Sequence, residues 1–465
     1  MNRSSPAHYR DLFVGLDIPT PRYNQAARPY INFDNAASTP PFKAVQEAVN
    51  NFLPYYSSVH RGTGYKSQLS TQAFEEARQT VLEFVQADPT AYICIFGKNT
   101  TEAINKLARR FPFKNGRDIV ITTGMEHHSN DLPWRNAART IHTSLTPEGR
   151  LDEDDFDRKV AESGDRLALV AVTGASNVTG FINPVHRLAE KTHAHGAQIL
   201  VDCAQLAPHR AINIGALDDP AHLDYITLSA HKMYAPFGTG ALIGLRETFE
   251  EGEPDYSGGG TVEIVTLENV VWTEPPERDE AGSPNTVGAI AMAAAIRQLE
   301  AIGMDEVAHH ETNLTAYALQ KLKGVPGLHI YGDVEPSTAS NRLGVIPILL
   351  EEVSHFKVSA ILGNEFGIGV RSGCFCAHPY LLHLLGLSPE QAAKVRHQIL
   401  TGDRMNMPGM VRISFGLYNT CDEVDMLIDA LHKIRNEEYL GSYYQEKNSG
   451  EYRLTGWSPE LPHFF

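Results

Sequence analysis

Between about residue 73 and residue 245 the chain alternates short runs that are apolar throughout with stretches of helical periodicity. No other feature constrains the fold as much. The runs are Tyr92-Ile-Cys-Ile-Phe96, Asp118-Ile-Val-Ile-Thr122, Leu167-Ala-Leu-Val-Ala-Val-Thr173, Gln198-Ile-Leu-Val-Asp202 and Tyr225-Ile-Thr-Leu228. Strands without a polar face must be covered on both sides, and helices between successive strands supply that cover. Residues 73–85 carry Phe74, Ala77, Val81 and Phe84 at near 3.6 spacing, and 184–195 reads as a second helix with His193 and His195 at its end. The pattern predicts a three-layer α/β domain built on a mainly parallel sheet.

The rhythm breaks over 253–286, where Gly258-Gly-Gly260, Pro275-Pro276 and Gly282-Ser-Pro284 predict a long loop, followed by a helix at 287–302. Strands at 342–350 and 411–415 with helices at 354–366 and 422–436 then predict a smaller α+β domain. We expect an N-terminal segment over 1–29 packed on the small domain, a large domain over 30–300, the small domain over 301–440 and an extension over 441–465. The tail from Tyr443 to Phe465 holds aromatics and prolines without periodicity, so it is expected to wrap on a surface. At 465 residues, two domains are the natural expectation.

Composition removes several function classes. The 40 Lys and Arg against 56 Asp and Glu give a net charge of −16, which repels nucleic acid and anionic membranes. No apolar run approaches the roughly 18 residues of a membrane span, and the first thirty residues lack a secretory signal. Five cysteines are too few, and odd in number, for a disulfide framework. The expectation is a soluble cytoplasmic enzyme for a small molecule, with no nucleic-acid or membrane partner.

In parallel α/β sheets ligands gather beyond the C-terminal strand ends, so the residues just after the runs are the ones to read. Ser229-Ala-His231-Lys232 follows a strand and leads into the turn Gly238-Thr-Gly240. A lysine desolvated there loses its proton more readily and becomes a nucleophile fit for Schiff-base chemistry, although a lysine in such a turn can also be a plain surface residue. Asp202 ends another run. It can keep a pyridine nitrogen protonated, with Gln205 on the ring hydroxyl, or simply cap a helix. Thr100 and Thr101 precede a helix expected near Glu102 and present hydroxyls and N–H groups to a phosphate. His127 can stack on a cofactor ring, shuttle a proton or merely sit in a loop. An anchoring Thr pair, a histidine, an acid and a lysine, each beyond a strand, together predict a pyridoxal phosphate site.

These residues resemble a known family. Asp34-Asn-Ala-Ala-Ser38, His60-Arg61-Gly62, Thr100-Thr-Glu-Ala-Ile-Asn105, Met125-Glu-His-His128, Ser176-Asn177-Val-Thr-Gly180, Asp202-Cys-Ala-Gln205, His231-Lys232, Glu280-Ala-Gly-Ser-Pro-Asn285 and Arg371-Ser-Gly-Cys-Phe-Cys376 look like the class V aminotransferase branch. Within it they are similar to group II cysteine desulfurases and selenocysteine lyases, over roughly residues 30 to 435. The resemblance implies a fold-type-I pyridoxal phosphate enzyme, homodimeric, with active sites at the subunit interface. It makes Lys232 the Schiff-base lysine, Asp202 the pyridinium partner, Gln205 the ring-hydroxyl partner and His127 the stacking residue. Thr101, Ser229 and His231 become phosphate ligands with Thr100 as a contributor, and Ser283 a contact lent by the other subunit. Arg412 matches the arginine that holds the substrate carboxylate, with Asn177 assisting and Arg371 near by, a task suited to bidentate guanidinium geometry.

By the same resemblance Cys376 is the persulfide-forming nucleophile, its thiol activated by cations such as Arg371 or His378. Cys374 completes a Cys-x-Cys pair open to a redox or metal reading. No second Cys/His cluster accompanies the pair at ligand spacing, so no metal is expected. A segment at Leu381–Met410 is longer than in compact group II enzymes and is expected near the active-site mouth. The leading expectation is cysteine desulfuration to alanine through a persulfide on Cys376, with a sulfur-acceptor protein as a further partner. The alternatives are a C–S lyase, epimerase or decarboxylase in which Cys376 is not the acceptor, and a catalytically silent scaffold.

Overall fold

The computed structural model describes residues 7–464. The first residues of the expected N-terminal segment, and Phe465 of the expected extension, lie outside the described residues. A seven-stranded sheet forms from β1 (Tyr92–Gly97), β2 (Ile119–Thr123), β3 (Arg139–Thr143), β4 (Leu167–Thr173), β5 (Gln198–Asp202), β6 (Tyr225–Ser229) and β7 (Gly240–Leu245). Their spatial order is β1-β7-β6-β5-β4-β2-β3. Strands β3, β2, β4, β5 and β6 run parallel, and β7 lies antiparallel to both β6 and β1. Every residue of β4, β6 and β7 is buried, as their unbroken apolar runs require.

Helices close both faces. Helix α1 (Tyr65–Phe84) begins eight residues before the apolar periodicity does, because its first two turns bury Ser67 and Ser70 instead of apolar side chains. Ser70 Oγ accepts from the Ser57 N–H at 2.8 Å, and Ser67 Oγ donates to the Ser58 carbonyl at 2.7 Å. Helix α2 (Thr100–Arg110) starts at Thr100, two residues before the expected Glu102, with Asn99 accepting from the Glu102 N–H at 3.0 Å. Its buried face, Ala103, Ile104, Leu107 and Ala108, packs on Ile93, Ile95, Val120 and Leu169, which fixes where its N-terminus points. Helix α3 (Val185–His193) ends at His193.

The loop expected over 253–286 contains a strand pair, β8 (Val262–Val265) with β9 (Val270–Trp272), which presents Ile264, Val265, Leu267 and Val271 to solvent. Helix α4 (Thr286–Ile302) follows, then α5 (Met304–Leu322). No single helix among the described residues is long and apolar enough to cross a membrane; α4 and α5 reach that length and composition only as a pair bent by 76°.

A second, antiparallel sheet has the order β10-β11-β13-β12, from β10 (Leu328–Ile330), β11 (Val345–Leu350), β12 (Arg371–Gly373) and β13 (Met410–Ser414). It packs with α5, α6 (His355–Phe366) and α9 (Cys421–Arg435) around Leu319, Ile346, Leu362, Ile413 and Leu431. The segment at 381–410 holds the end of α7 (His378–Leu384) and all of α8 (Pro389–Leu400), which has no buried residue. The tail forms a short hairpin, β14 (Tyr443–Gln445) with β15 (Tyr452–Leu454), so it is more regular than its sequence suggested.

At the sheet end opposite the strand C-termini, His193 and His222 share one buried carboxylate. Their Nε2 atoms lie 2.9 and 3.4 Å from the two oxygens of Asp224, and their rings stack at 4.2 Å and 20°. Rings so nearly parallel do not direct both lone pairs at one point, so this is an ion-pair geometry. For His193, burial opposes charge but the contact with Asp224 outweighs it and raises the pKa; for His222 the Asp224 contact leads and also raises it. A histidine with a raised folded-state pKa stabilises fully below its ordinary 6.5 and loses that contribution as pH climbs through the raised value. Thermal scans should show Tm falling by about 1–3 °C across that window, and His193→Gln should flatten the fall. Equal slopes for the two proteins would contradict the assignment.

Candidate active site

At the C-terminal edge of the large sheet lies a cleft of about 220 Å³. The ends of five strands and the turns after them supply one wall: Thr100 and Thr101 follow β1, His127 and Ser129 follow β2, Asn177 follows β4, Asp202 ends β5 with Gln205 just beyond it, and Ser229 ends β6 with His231 and Lys232 just beyond it. The antiparallel sheet supplies the other wall through Arg371, Phe375, Cys376 and Arg412. Of the residues expected at the site, Ser283 lies elsewhere, exposed in the loop before α4, and His378 does not line the cleft.

The lysine turn is clamped at both ends. The Ala230 N–H donates to the Thr239 carbonyl at 2.9 Å, and the Thr39 N–H donates to the His231 carbonyl at 3.0 Å. Gly240 is needed where β7 passes α2, since a Cβ there would lie 2.6 Å from Asn99 Cα and from the Leu228 carbonyl oxygen. Burial pushes the Lys232 amine down to about 8; Arg412 pushes the same way, while Asp202 and Cys376 oppose. Asp202 is buried, and burial raises its pKa against the Ala204 N–H, which donates to Oδ1 at 2.9 Å, and against Lys232. Asp202 therefore both caps the following turn and faces the cleft. Gln205 donates from Nε2 to the Ala36 carbonyl at 2.7 Å.

At the α2 N-terminus the Thr100 N–H donates to Ser229 Oγ at 2.9 Å, while the buried Thr100 hydroxyl has no partner. Thr101 Oγ1 lies 2.7 Å from Ser129 Oγ. Burial lowers His231 to about 4 and His127 to about 3, so both rings are neutral near pH 7. Backbone N–H groups, hydroxyls and a positive helix end give this corner the polarity to accept an anion.

On the facing wall Arg412 is buried. Its Nη1 donates to the Asn177 carbonyl at 2.9 Å and its Nη2 to Asp34 Oδ1 at 3.0 Å, while Nε has no partner. Arg371 reaches the same Asp34 at 3.8 Å. Cys376 is exposed at the mouth, on two consecutive left-handed residues, Phe375 (φ 54°) and Cys376 (φ 55°). Asn177 Nδ2 donates to the Phe375 carbonyl at 2.7 Å, and the His128 N–H donates to the Cys376 carbonyl at 2.8 Å. Cys374 is buried with its sulfur 3.1 Å from the Pro408 carbonyl, and burial pushes its thiol up to about 11. His378 is not the activating cation expected beside Cys376. Its ring stacks on His128 with Nδ1 3.1 Å from His128 Nε2, and burial lowers its pKa, so it is neutral near pH 7.

The family model for "Aminotransferase class-V" matches residues 31–427. The chain belongs to that family. A probable cysteine desulfurase of Halalkalibacterium halodurans is 36% identical over 425 residues, which is 90% of this chain and 95% of the relative. A cysteine desulfurase of Dickeya dadantii is 35% identical, covering 92% of this chain and 97% of the relative. Among solved structures, the apo cysteine desulfurase of Thermococcus onnurineus superimposes with a TM-score of 0.77 at 33% identity, over 88% of this chain and 95% of that one. The cysteine desulfurase CsdA of Escherichia coli superimposes at 0.75 and 27% identity, over 94% and 100%. Membership agrees with the α/β fold and with an enzyme of this type.

Two polar residues of this class-V site went unread in the sequence. Ser129 follows the paired histidines and looks like ordinary loop filling until the turn brings it to Thr101. Asp34 was visible only as part of a motif, and its contact with two arginines depends on β13 lying beside it.

Proposed function

We propose that this chain is a pyridoxal phosphate-dependent cysteine desulfurase that converts cysteine to alanine and takes the sulfur on Cys376. The observation that carries the reading is one cleft lined by a readily deprotonated amine, a buried carboxylate, a buried guanidinium and an exposed thiol. The residues present fit the cofactor. Asp202 is a buried acid suited to a ring cation, Thr100 offers an orphaned buried hydroxyl where a phosphate would sit, and Lys232 lies in the same cleft. Lys232 would attach the cofactor, Asp202 would face its ring nitrogen, Gln205 its ring hydroxyl and His127 its face. Thr100, Thr101, Ser229 and His231 would hold the phosphate, with Ser283 contributed by a second copy.

When bound, pyridoxal phosphate supplies an electron sink that acidifies the Cα–H of an attached amino acid. Arg412 fixes the substrate carboxylate through its unpartnered Nε and the Nη hydrogens not given to Asn177 and Asp34, and the Asn177 carbonyl holds the guanidinium in place. The Lys232 amine accepts the Cα proton, a task suited to a base whose pKa lies near the working pH. The Cys376 thiolate attacks the substrate sulfur. An S–S bond forms, the Cβ–S bond breaks with its electron pair retained by the substrate, and a proton delivered to Cβ together with the proton that Lys232 returns to Cα completes alanine. The persulfide on Cys376 passes its outer sulfur to the thiol of an acceptor protein.

The exposed Ser283 and the apolar β8–β9 pair support a homodimer whose copies complete each other's sites. Five free thiols support a reducing, cytoplasmic setting. With added cofactor, L-cysteine and excess dithiothreitol, the purified protein should release alanine and sulfide in equal amounts. Pyruvate in place of alanine would assign C–S lyase chemistry instead.

A further inference from the structure

Ser129 makes three contacts that no role described so far uses. Its backbone N–H donates to His127 Nδ1 at 3.1 Å, and its hydroxyl lies 2.9 Å from that nitrogen and 2.7 Å from Thr101 Oγ1. A backbone N–H can only donate, so Nδ1 must present a lone pair. His127 is neutral near pH 7, so its one ring proton then sits on Nε2. The lone-pair nitrogen is spoken for and the other carries hydrogen. His127 can therefore donate from Nε2, but it has no free nitrogen with which to accept a proton.

The hydroxyl side points to the anion seat. Ser129 lines the cleft together with Thr100, Thr101, Ser229 and His231, and the neighbouring Thr100 hydroxyl is buried without a partner. A phosphate oxygen placed between Thr101 and Ser129 would receive the Thr101 hydroxyl proton and, once the Ser129 side chain turns off Nδ1, the Ser129 proton as well, the backbone N–H still holding Nδ1.

We infer that Ser129 is a further cofactor-binding and positioning residue: its N–H fixes His127 as the Nε2–H tautomer, and its hydroxyl completes the phosphate seat beside Thr101. One short turn thus couples the phosphate corner to the ring-stacking histidine. Proton acceptance from the substrate falls to Lys232, and His127 acts as a neutral donor. The ligand half of this inference rests on the proposed cofactor, whereas the tautomer half is a property of the cofactor-free protein.

Two measurements test it. The first is titration of cofactor-free protein with pyridoxal phosphate, followed by fluorescence, for wild type, Ser129→Ala and Ser129→Thr. Loss of one hydrogen bond to a charged group raises Kd by about 10- to 100-fold, so Ser129→Ala should show that rise and Ser129→Thr should stay within about threefold of wild type. Equal affinities for wild type and Ser129→Ala would overturn the ligand role alone. Folded wild-type protein that takes up no pyridoxal phosphate would overturn the proposed function, and the ligand role with it. The second is nitrogen-15 NMR of histidine-labelled cofactor-free protein, with His127→Gln assigning the signal. The expected pattern is a protonated Nε2 and an unprotonated Nδ1 at neutral pH. A protonated Nδ1 would overturn the positioning role whatever the titration shows.

Discussion

Lys232→Ala protein will hold no covalently attached cofactor and will form alanine at least about 10³-fold more slowly than the parent. Two losses combine in this one change. The amine is the group that would bond the cofactor, and it is also the base placed to take the Cα proton. Borohydride reduction followed by peptide mass spectrometry should find the cofactor on the peptide containing Lys232 in the parent and nowhere in the variant. Near-ultraviolet circular dichroism of the cofactor-free proteins should match, since Lys232 makes no hydrogen bond on which the turn depends.

Protonation adds a sign. Burial disfavours the ammonium form, so the fraction of reactive amine rises with pH and levels off above about 8 rather than above the ordinary lysine value of 10.5. The rate at which cofactor-free protein captures pyridoxal phosphate should follow that curve. A midpoint near the ordinary value would mean that the amine sits in water and that the cleft does not have the polarity described.

Cys376→Ala has the next largest effect. Its cofactor absorption should be unchanged, while alanine formation from cysteine drops by about 10²- to 10³-fold, because the Cβ–S bond then has to break without a nucleophile on sulfur. In the parent, one turnover without reductant should leave the Cys376 peptide heavier by a single sulfur atom. Cys374→Ala should retain most activity, since that thiol is buried against Pro408 and held protonated. A Cys376→Ala enzyme as fast as the parent would move the reaction into a different class.

The strands were legible because a strand covered on both faces has no polar alternation to confuse with a helix, and β4 and β5 coincide with their apolar runs residue for residue. One wall of the cleft was legible for a related reason, since its polar residues end or follow such runs, whereas Arg371, Cys376 and Arg412 on the other wall were read only through the resemblance. Reading failed where partners come from afar or where polar atoms replace apolar ones. The start of α1 was hidden because Ser67 and Ser70 are buried through hydrogen bonds, and β8–β9 because its apolar residues face outward. His378 looked like a cation beside Cys376. Nothing in the local sequence indicates that its ring stacks on His128, 250 residues away, in surroundings that keep it neutral.

The backbone under Cys376 limits what the sulfur can do once loaded. Two adjacent non-glycine residues in the left-handed region cost about 1–3 kcal/mol each and persist only where neighbours over-determine them. Here Asn177 and His128 grip the carbonyls of both. A persulfide on Cys376, as proposed, would therefore sit on a short arm whose backbone is clamped on both carbonyls. Under that proposal the recipient would bring its own thiol to the mouth of the cleft, where Cys376 is exposed, rather than wait for the sulfur to travel.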